Sequence, residues 1–497
     1  MKVFVENRTP YLNNYHFQSL CLLYFPEAKF PEDDKSSLKA DFILEKREDG
    51  FYAEAHLYSP YGSSHGVCSE KDVVFTIPTD NESICAAITG KAMLKAGESL
   101  FGFIPPWGYL TGLRPVKRAR YYLERGFHES NVRRLFENDY NVSEEKTSLS
   151  IDTARCEIEM LSSLRPENCG VYFSVPFCPT RCDYCSFVSY SNKKLFDLIP
   201  SYVERLCRDI EKTGKMIKEN GFEPIALYIG GGTPSFLTEE QLVKIFRTIE
   251  KHIPTSSVRE FSFEGGRPDT LTKEKLNIIK SGGVDRISVN PQSTCQEVLD
   301  AIGRKHTVGQ FYEAADLAMS AGFTTVNTDL IAGLPKDTME TFSKTLSDVI
   351  GIGFENITVH TLSIKNASEI KNEEGAFDAE GKNGRECVSY AGKTLGEHGY
   401  RPYYLYRQKR TVGNGENTGF SKPGHESIYN VMMMEESSTV FACGAGAITK
   451  LVSPDGERIS RIAFAKYPYE YLEREGSVGE EQVKEFFIGN SKTAFYN

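Results

Sequence analysis

From residue 171 onward the chain repeats one unit: a short apolar run, a loop, then a longer amphipathic stretch. The runs are VYFSV, IALYI, EFSFE, DRISVN, TTVNTDLI and ENITVHTLS. Between them lie stretches of helical period: residues near 195–219, TEEQLVKIFRTIEKH, TKEKLNIIKSG, residues near 308–321 and METFSKTLSDVIG. Strands that alternate with helices are joined by crossovers, and right-handed crossovers place the strands side by side in a parallel sheet. Runs this apolar suit a sheet covered on both faces. Six such units predict a partial (β/α)6 barrel within an α/β fold, with an open doubly wound sheet as the alternative.

The unusual residues gather where the strands end. Cys178, Cys182 and Cys185 follow the first run and GGGTP the second, while Glu264, Gln292 and Asp329 stand at the ends of the third, fourth and fifth. In α/β barrels the carboxyl ends of the strands carry the active site. Five polar or glycine-rich features at five successive strand ends locate the site there.

The flanks read differently. MKVFVENR, DFILEKRE, FYAEAHLYS and DVVFTIP are short alternating runs, expected as strands of an N-terminal α+β domain over 1–125. Within it, WGYLTGLRPVKRARYYLERG leads into a basic helix holding Lys117, Arg118, Arg120 and Arg125. A polar helical linker is expected over 126–165, the barrel over 166–370, and a C-terminal α+β extension over 371–497. The net charge of −10 comes without a long Lys/Arg run, which gives no reason to expect a nucleic-acid partner. No apolar run approaches the ~18 residues of a membrane span. The N-terminus MKVFVENRTPYLNNYHF lacks the apolar core and cleavage site of a signal peptide. The expectation is a cytoplasmic protein.

Twelve cysteines in such a chain are not a disulfide framework. Nine, among them Cys21, Cys85, Cys207 and Cys443, are scattered singly and read as free thiols. The other three stand together in VPFCPTRCDYCSF as C-x3-C-x2-C. A zinc site normally closes with four protein ligands, and here the fourth would have to come from a distance. A redox pair at Cys182 and Cys185 leaves Cys178 without a role. Three thiolates on one loop can hold three irons of a 4Fe-4S cluster and leave the fourth iron open. The stretch IGGGTP is not a dinucleotide fingerprint, because Ser235 stands where the third glycine would be. Gly230, Gly231 and Gly232 instead allow close approach of the main chain.

YFSVPFCPTRCDYCSF resembles the signature of the oxygen-independent coproporphyrinogen III oxidase family of the radical S-adenosylmethionine (SAM) superfamily. GGGTPSFL, Glu264, RISVNPQS, IGRKHT and NTDLIAGLP follow in that family's order and spacing, and the likeness covers about 171–450. EGGRPDT, VNPQ, TVHTLSIK and YYLYRQK are most similar to its HemZ-type branch, the coproporphyrinogen dehydrogenase-like proteins. The resemblance implies a 4Fe-4S cluster on Cys178, Cys182 and Cys185, and one or two SAM molecules. It implies cofactor contacts from Tyr172, Tyr184, Gly231, Gly232, Thr233, Glu264, Gln292, Arg304 and Asp329. The implied reaction uses a 5′-deoxyadenosyl radical to convert coproporphyrinogen III propionates to vinyls, giving protoporphyrinogen IX. Electrons would come from a flavodoxin or ferredoxin.

Glu264 is a catalytic candidate on that basis. Arg407 is the second, because a tetrapyrrole with four carboxylates needs cations and YYLYRQKR offers Arg407, Lys409 and Arg410. GLRPVKRAR offers a second basic group. The chain departs from the family in three places. Ser174 replaces the signature histidine, Phe187 stands where the oxidases carry a fourth cysteine, and HESIYN replaces the H-N-x-x-Y-W string of the HemW-type haem chaperones. A haem chaperone with His425 as ligand, or a radical SAM enzyme on another substrate, is the alternative.

Overall fold

The computed structural model describes residues 1–497 except 27, 32–36, 188, 364–380, 409–410, 474–478 and 489–497. The chain divides into two units: Met1–Ile158 with Leu405–Glu416, and a second made of most of the chain beyond residue 158.

The first unit holds a four-stranded sheet of β1 (Lys2–Asn7), β2 (Lys39–Arg47), β3 (Gly50–Ser59) and β4 (Gly62–Ser69) in that order. β1 runs parallel to β2, and the other neighbours are antiparallel. Alternate residues Phe42, Leu44, Ala53, Ala55 and Leu57 are buried in one core with Ile88 and Met93 of the helix Asn81–Phe101. Asp80 caps that helix, accepting from the Ser83 amide, and Gly102 ends it at φ 75°.

The expected strand in DVVFTIP is not one. Residues Glu70–Asp72 make a short 3-10 turn and the run continues as loop, while the fourth strand is Gly62–Ser69. Its composition, GSSHGVCS, hides it from strand propensities. The reason is close packing: a Cβ on Gly66 would lie 2.2 Å from the Ala92 carbonyl oxygen of the covering helix.

A buried ion pair crosses this unit's core. Lys146 Nζ lies 2.7 Å from Glu416 Oε1, and the Trp107 indole donates to Glu416 Oε2 at 2.9 Å. Burial disfavours both charges, and each holds the other ionised.

The second unit is built on β5 (Asn168–Val175), β6 (Glu223–Gly231), β7 (Glu260–Gly266), β8 (Arg286–Val289), β9 (Thr325–Ala332) and β10 (Asn356–Thr361), parallel neighbours in chain order. Every crossover therefore steps the same way, and right-handed crossovers that never reverse put their helices on one face of the sheet. A doubly wound sheet needs a reversal, so this strand order is that of a partial barrel.

Five later strands extend the same sheet: β11 (Arg401–Arg407), β12 (Glu416–Ser421), β13 (Thr439–Cys443), β14 (Ile448–Val452) and β15 (Ile459–Ala463). β12 joins β10 antiparallel and β13 joins β5 parallel, giving the eleven-strand order β11-β12-β10-β9-β8-β7-β6-β5-β13-β14-β15. Among the described residues no pairing joins β11 to β15. No helix among them is long and apolar enough to cross a membrane.

The six parallel strands are not apolar on both faces, as the sequence pattern predicts. They alternate. Phe173, Ile229, Phe263, Val289 and Leu330 face the helices, as where Phe246 packs on Phe261 and Phe263. Between them Tyr172, Tyr228, Glu264, Ser288, Asn327 and Asp329 share the opposite face. That face carries the helix Ile428–Glu435, whose Tyr429 ring stacks on Tyr228 at 4.4 Å.

Replacing Glu416 by Ala strands an indole N–H and leaves the buried Lys146 ammonium with the exposed Glu145 as its remaining partner. Thermal or urea unfolding of Glu416→Ala is expected to show a loss of about 3 kcal/mol, the usual cost of removing one partner of a buried pair.

Candidate active site at the strand ends

The cysteines sit on the loop leaving β5. The Cys178 amide donates to the Tyr190 carbonyl at 3.1 Å, and the Tyr190 amide returns to Pro176 at 2.8 Å, which closes the loop at its base. A tight turn, Cys185 N–H to Cys182 O at 3.0 Å, brings the last two cysteines round. The glycine stretch at the end of β6 packs on this loop. The Gly232 amide donates to Val175 O and the Thr233 amide to Phe177 O, both at 2.8 Å. A Cβ on Gly232 would stand 2.6 Å from Phe177 O and 3.0 Å from Cys178 Sγ, and Gly231 has φ 114°. These two glycines therefore first let the strand end lie against the cysteine loop.

Several donors reach the sulfurs, among them the Ser189 hydroxyl and the Phe187 backbone. The Thr233 hydroxyl lies 3.2 Å from Cys178 Sγ, and Arg304 Nη1 lies 3.7 Å from Cys182 Sγ and 2.9 Å from the Tyr184 hydroxyl. Burial pushes the Cys178 thiol up to about 11, against the pull of the Thr233 hydroxyl. Hydrogen bonds to a sulfur favour its thiolate, the form that binds metal. Among the described residues no three His, Cys, Asp or Glu converge on one ion.

Behind the loop lie the acids. The Tyr228 hydroxyl donates to Glu264 Oε1 at 2.5 Å. Burial, helped by the charge of Asp329, raises Glu264 to about 7, while the Tyr228 hydroxyl and the Gly231 amide hold it down. Burial also raises Asp329, whose Oδ2 accepts from Asn290 Nδ2 at 2.8 Å. Both acids keep partial exposure.

Gln292 stands at φ 68°, its amide on Asp329 O at 3.2 Å. Such a backbone persists where the surroundings impose it. Its buried Oε1 has no hydrogen-bond partner among the described residues, and neither has Arg304 Nε. An unmet acceptor, an unmet guanidinium donor and two carboxylates suit a ligand with ammonium, carboxylate and hydroxyl groups. SAM has all three, and the cysteine loop suits an iron–sulfur cluster.

Cys178, Cys182, Cys185, Tyr184, Gly231, Gly232, Thr233 and Arg304 are thus linked in one group, with Glu264, Asp329 and Tyr172 on the neighbouring strands and Gln292 just past β8, bridged to Leu330 of β9. Arg407 is not among them. Its guanidinium is buried within the first unit, donating to the Leu110 and Asn414 carbonyls beside the Trp107 ring. The expected catalytic role is not what this placement supports, because those carbonyls hold both terminal nitrogens and the ring covers one face of the guanidinium. Lys409 and Arg410 lie outside the described residues. In the second basic segment Arg118 donates to the Tyr140 hydroxyl at 2.6 Å, again within the first unit.

His425 bonds Thr325 at the start of β9, the strand end opposite the cysteines. Ser174, in place of the signature histidine, donates to the Ala445 carbonyl at 3.0 Å. Phe187, where a fourth cysteine would stand, is exposed. Tyr228 and Asn290 are site residues that the sequence motifs did not single out. The alternation in IALYIG and RISVN placed both on the face of the acids.

A singly wound parallel sheet with three cysteines after its first strand defines a radical SAM protein. The Radical SAM superfamily model matches residues 172–349. The chain is 37% identical over 388 residues to the oxygen-independent coproporphyrinogen-III oxidase-like protein HemZ of Bacillus subtilis (strain 168), covering 77% of each. It is 28% identical over 338 residues to the heme chaperone HemW of the same organism, covering 65% of this chain and 84% of that one. The solved structure of coproporphyrinogen III oxidase (HemN) from Escherichia coli shares the fold, with a TM-score of 0.51 at 20% identity over 66% of this chain and 72% of that one. The chain belongs to the radical SAM superfamily and, within it, to the family of the HemZ-type coproporphyrinogen-III oxidase-like proteins. The superfamily's cofactors are a 4Fe-4S cluster and SAM.

Two outcomes test this geometry. Gly232→Ala forces a Cβ against the cysteine loop, so a stability loss of about 2 kcal/mol is expected, with iron and sulfide content after reconstitution falling to a minor fraction of wild type. The second concerns Glu264 in the cofactor-free protein. A carboxyl raised from 4.5 to about 7 on folding contributes stability that is present below its unfolded value and lost as pH rises through 7. Glu264→Gln should flatten that fall, a difference of up to about 3 kcal/mol between about pH 5 and about pH 8. Urea unfolding at several pH values reads it.

Proposed function

We propose that the protein carries out the oxygen-independent oxidative decarboxylation of coproporphyrinogen III, turning two propionates into vinyls and yielding protoporphyrinogen IX. In each round the propionate β-carbon gives up a hydrogen atom, carbon dioxide leaves, one electron is released and a vinyl group forms. When bound, the cluster and SAM supply the hydrogen-abstracting radical. Cys178, Cys182 and Cys185 hold the cluster, with Thr233 and Arg304 donating toward its sulfurs. Glu264, Gln292, Arg304 and Asp329 hold the cofactor's polar groups at the strand ends, and the sheet around them keeps water from the reacting carbon. A reduced flavodoxin or ferredoxin in the cytoplasm delivers the electron that starts each round.

The observation that carries this reading is the gathering of unmet polar groups, Gln292 Oε1 and Arg304 Nε, with two carboxylates beside the three thiols. A cluster that merely stabilised the fold would need none of them. The likeness to the HemZ protein supports the tetrapyrrole as substrate. Against a haem-carrier role stands His425, whose Nδ1 is engaged with Thr325 at 2.9 Å at the far ends of the strands.

Anaerobic reconstitution with iron and sulfide, followed by reductant, SAM and coproporphyrinogen III, tests the proposal by mass spectrometry. Loss of both carbon dioxide units is expected with the wild type and none with Cys178→Ala. Release of 5′-deoxyadenosine from an unchanged tetrapyrrole would remove the substrate assignment and leave the radical machinery standing. Haem bound stoichiometrically without turnover would favour the chaperone reading.

A further inference from the structure

We propose that Tyr228 is the positioning residue for Glu264: its hydroxyl fixes the carboxylate that receives SAM, and a stack of tyrosines holds that hydroxyl in place. The inference rests on the cofactor contact proposed for Glu264, and not on which substrate is turned over.

The contact is built from three sides. The hydroxyl meets Oε1 at 2.5 Å. The other oxygen has its space kept open by Gly230, where a Cβ would stand 2.9 Å from Glu264 Oε2 and 2.9 Å from Tyr228 Cε1. The Gly231 amide adds a second donor to the carboxylate. The three glycines thus divide their work. Gly231 and Gly232 admit the cysteine loop, and Gly230 keeps Tyr228 and Glu264 apart by no more than a hydrogen bond. One strand end therefore serves the cysteines and the acid together.

Tyr228 is itself held. Its ring stacks on Tyr429 at 4.4 Å and 23°, and Tyr172 lies 6.0 Å away on the neighbouring strand. Tyr429 is fixed in turn from its helix start, where the Ser427 hydroxyl and the Ile428 amide both donate to buried Glu260. The ring therefore has little freedom, and a preset donor costs less ordering when the ligand arrives. The titratable groups that face Glu264 are Tyr172 from β5, Tyr228 from β6, Asp329 from β9 and Tyr429 from the helix. Of these only the Tyr228 hydroxyl donates a hydrogen bond to it. Asp329 acts the other way, through its charge.

A tyrosine that served packing alone would leave the cofactor's pH dependence untouched, and this separates the two roles. SAM affinity of the reconstituted full-length protein, measured by anaerobic calorimetry across pH, should weaken as pH falls through the Glu264 midpoint near 7. In Tyr228→Phe the ring and its stack remain and the donor is gone. The midpoint should move upward and the affinity at neutral pH fall about tenfold, the low end of a hydrogen bond to a charged group. Well above the midpoint the gap should narrow. Glu264→Gln should bind with no such midpoint, and adding Tyr228→Phe to it should change little, because the two residues act as one unit.

A wild-type midpoint and affinity in Tyr228→Phe would overturn the proposal. So would an equal loss from Tyr228→Phe in the Glu264→Gln background. Wild-type protein that binds no SAM at any pH would remove the reading of the whole site, an outcome distinct from either.

Discussion

The end of β6 has to lie against the cysteine loop, and much of the second unit depends on that contact. Val175 and Phe177 give their carbonyls to the Gly232 and Thr233 amides, which welds the loop to the neighbouring strand end. With a side chain at Gly232 the weld could not form, since its Cβ would meet a carbonyl oxygen at 2.6 Å. Once the weld is made, Thr233 is placed to donate to Cys178, and Gly230 falls where Glu264 and Tyr228 meet. Arg304 ties the loop from the other side, bonding Tyr184 and the Asn290 carbonyl. The cysteines are therefore held by neighbouring strands and loops and not by their own short turn, which is what a site on an irregular loop needs to keep its geometry.

The second constraint is the period of two along the strands. Parallel strands in register put equivalent residues on the same face, so Tyr172, Tyr228, Ser262 and Arg286 form one row, and Glu264, Ser288 and Asn327 the next. The outer rows are aliphatic and aromatic and bind the helices. The inner rows carry the polar side chains. At the starts of the strands the HESIYN segment covers that inner face. Arg286 donates to the His425 and Glu426 carbonyls, Asn356 to His425 again, and Glu260 receives Ser427 and Ile428. This gives His425 a structural place at the base and leaves the opposite end for ligands.

Much of this was legible in the chain. The six strands and their helices stand where apolar runs and helical periods put them, with caps such as Thr238 and Thr338 at the helix starts. The order of the cysteines after β5, Glu264 and Asp329 in the later halves of β7 and β9, and Gln292 just past β8 was legible too, because topology alone sends those ends to one side. Three things were not. β4 escaped because its Gly and Ser residues answer to a close-lying helix and not to strand propensity. The polar inner face escaped because aromatic Tyr172 and Tyr228 count as apolar when a run is scanned for hydrophobicity, although their hydroxyls belong to that face. Arg407 was misplaced for a different reason. A cation beside tyrosines reads alike whether it awaits a carboxylate or fills its donors with backbone carbonyls, and only the fold of Leu405–Glu416 into the first unit decides between them.

The electrostatics of the inner face point to the charge of what it receives. Glu264 and Asp329 are both raised by burial, and Asp329 raises Glu264 further. With Arg304 turned mainly to Tyr184, Cys182 and Asn290, burial and mutual charge make ionising both carboxylates costly. A ligand bearing positive charge changes that balance: it favours the ionised form of each acid, and by linkage the ionised acids favour the ligand. A cation held beside Glu264 would favour its ionised form. SAM, with its ammonium and sulfonium, is such a ligand. Tyr228 and the Gly231 amide set how far that ionisation has already gone before it arrives, since both hold Glu264 toward the ionised form against its surroundings.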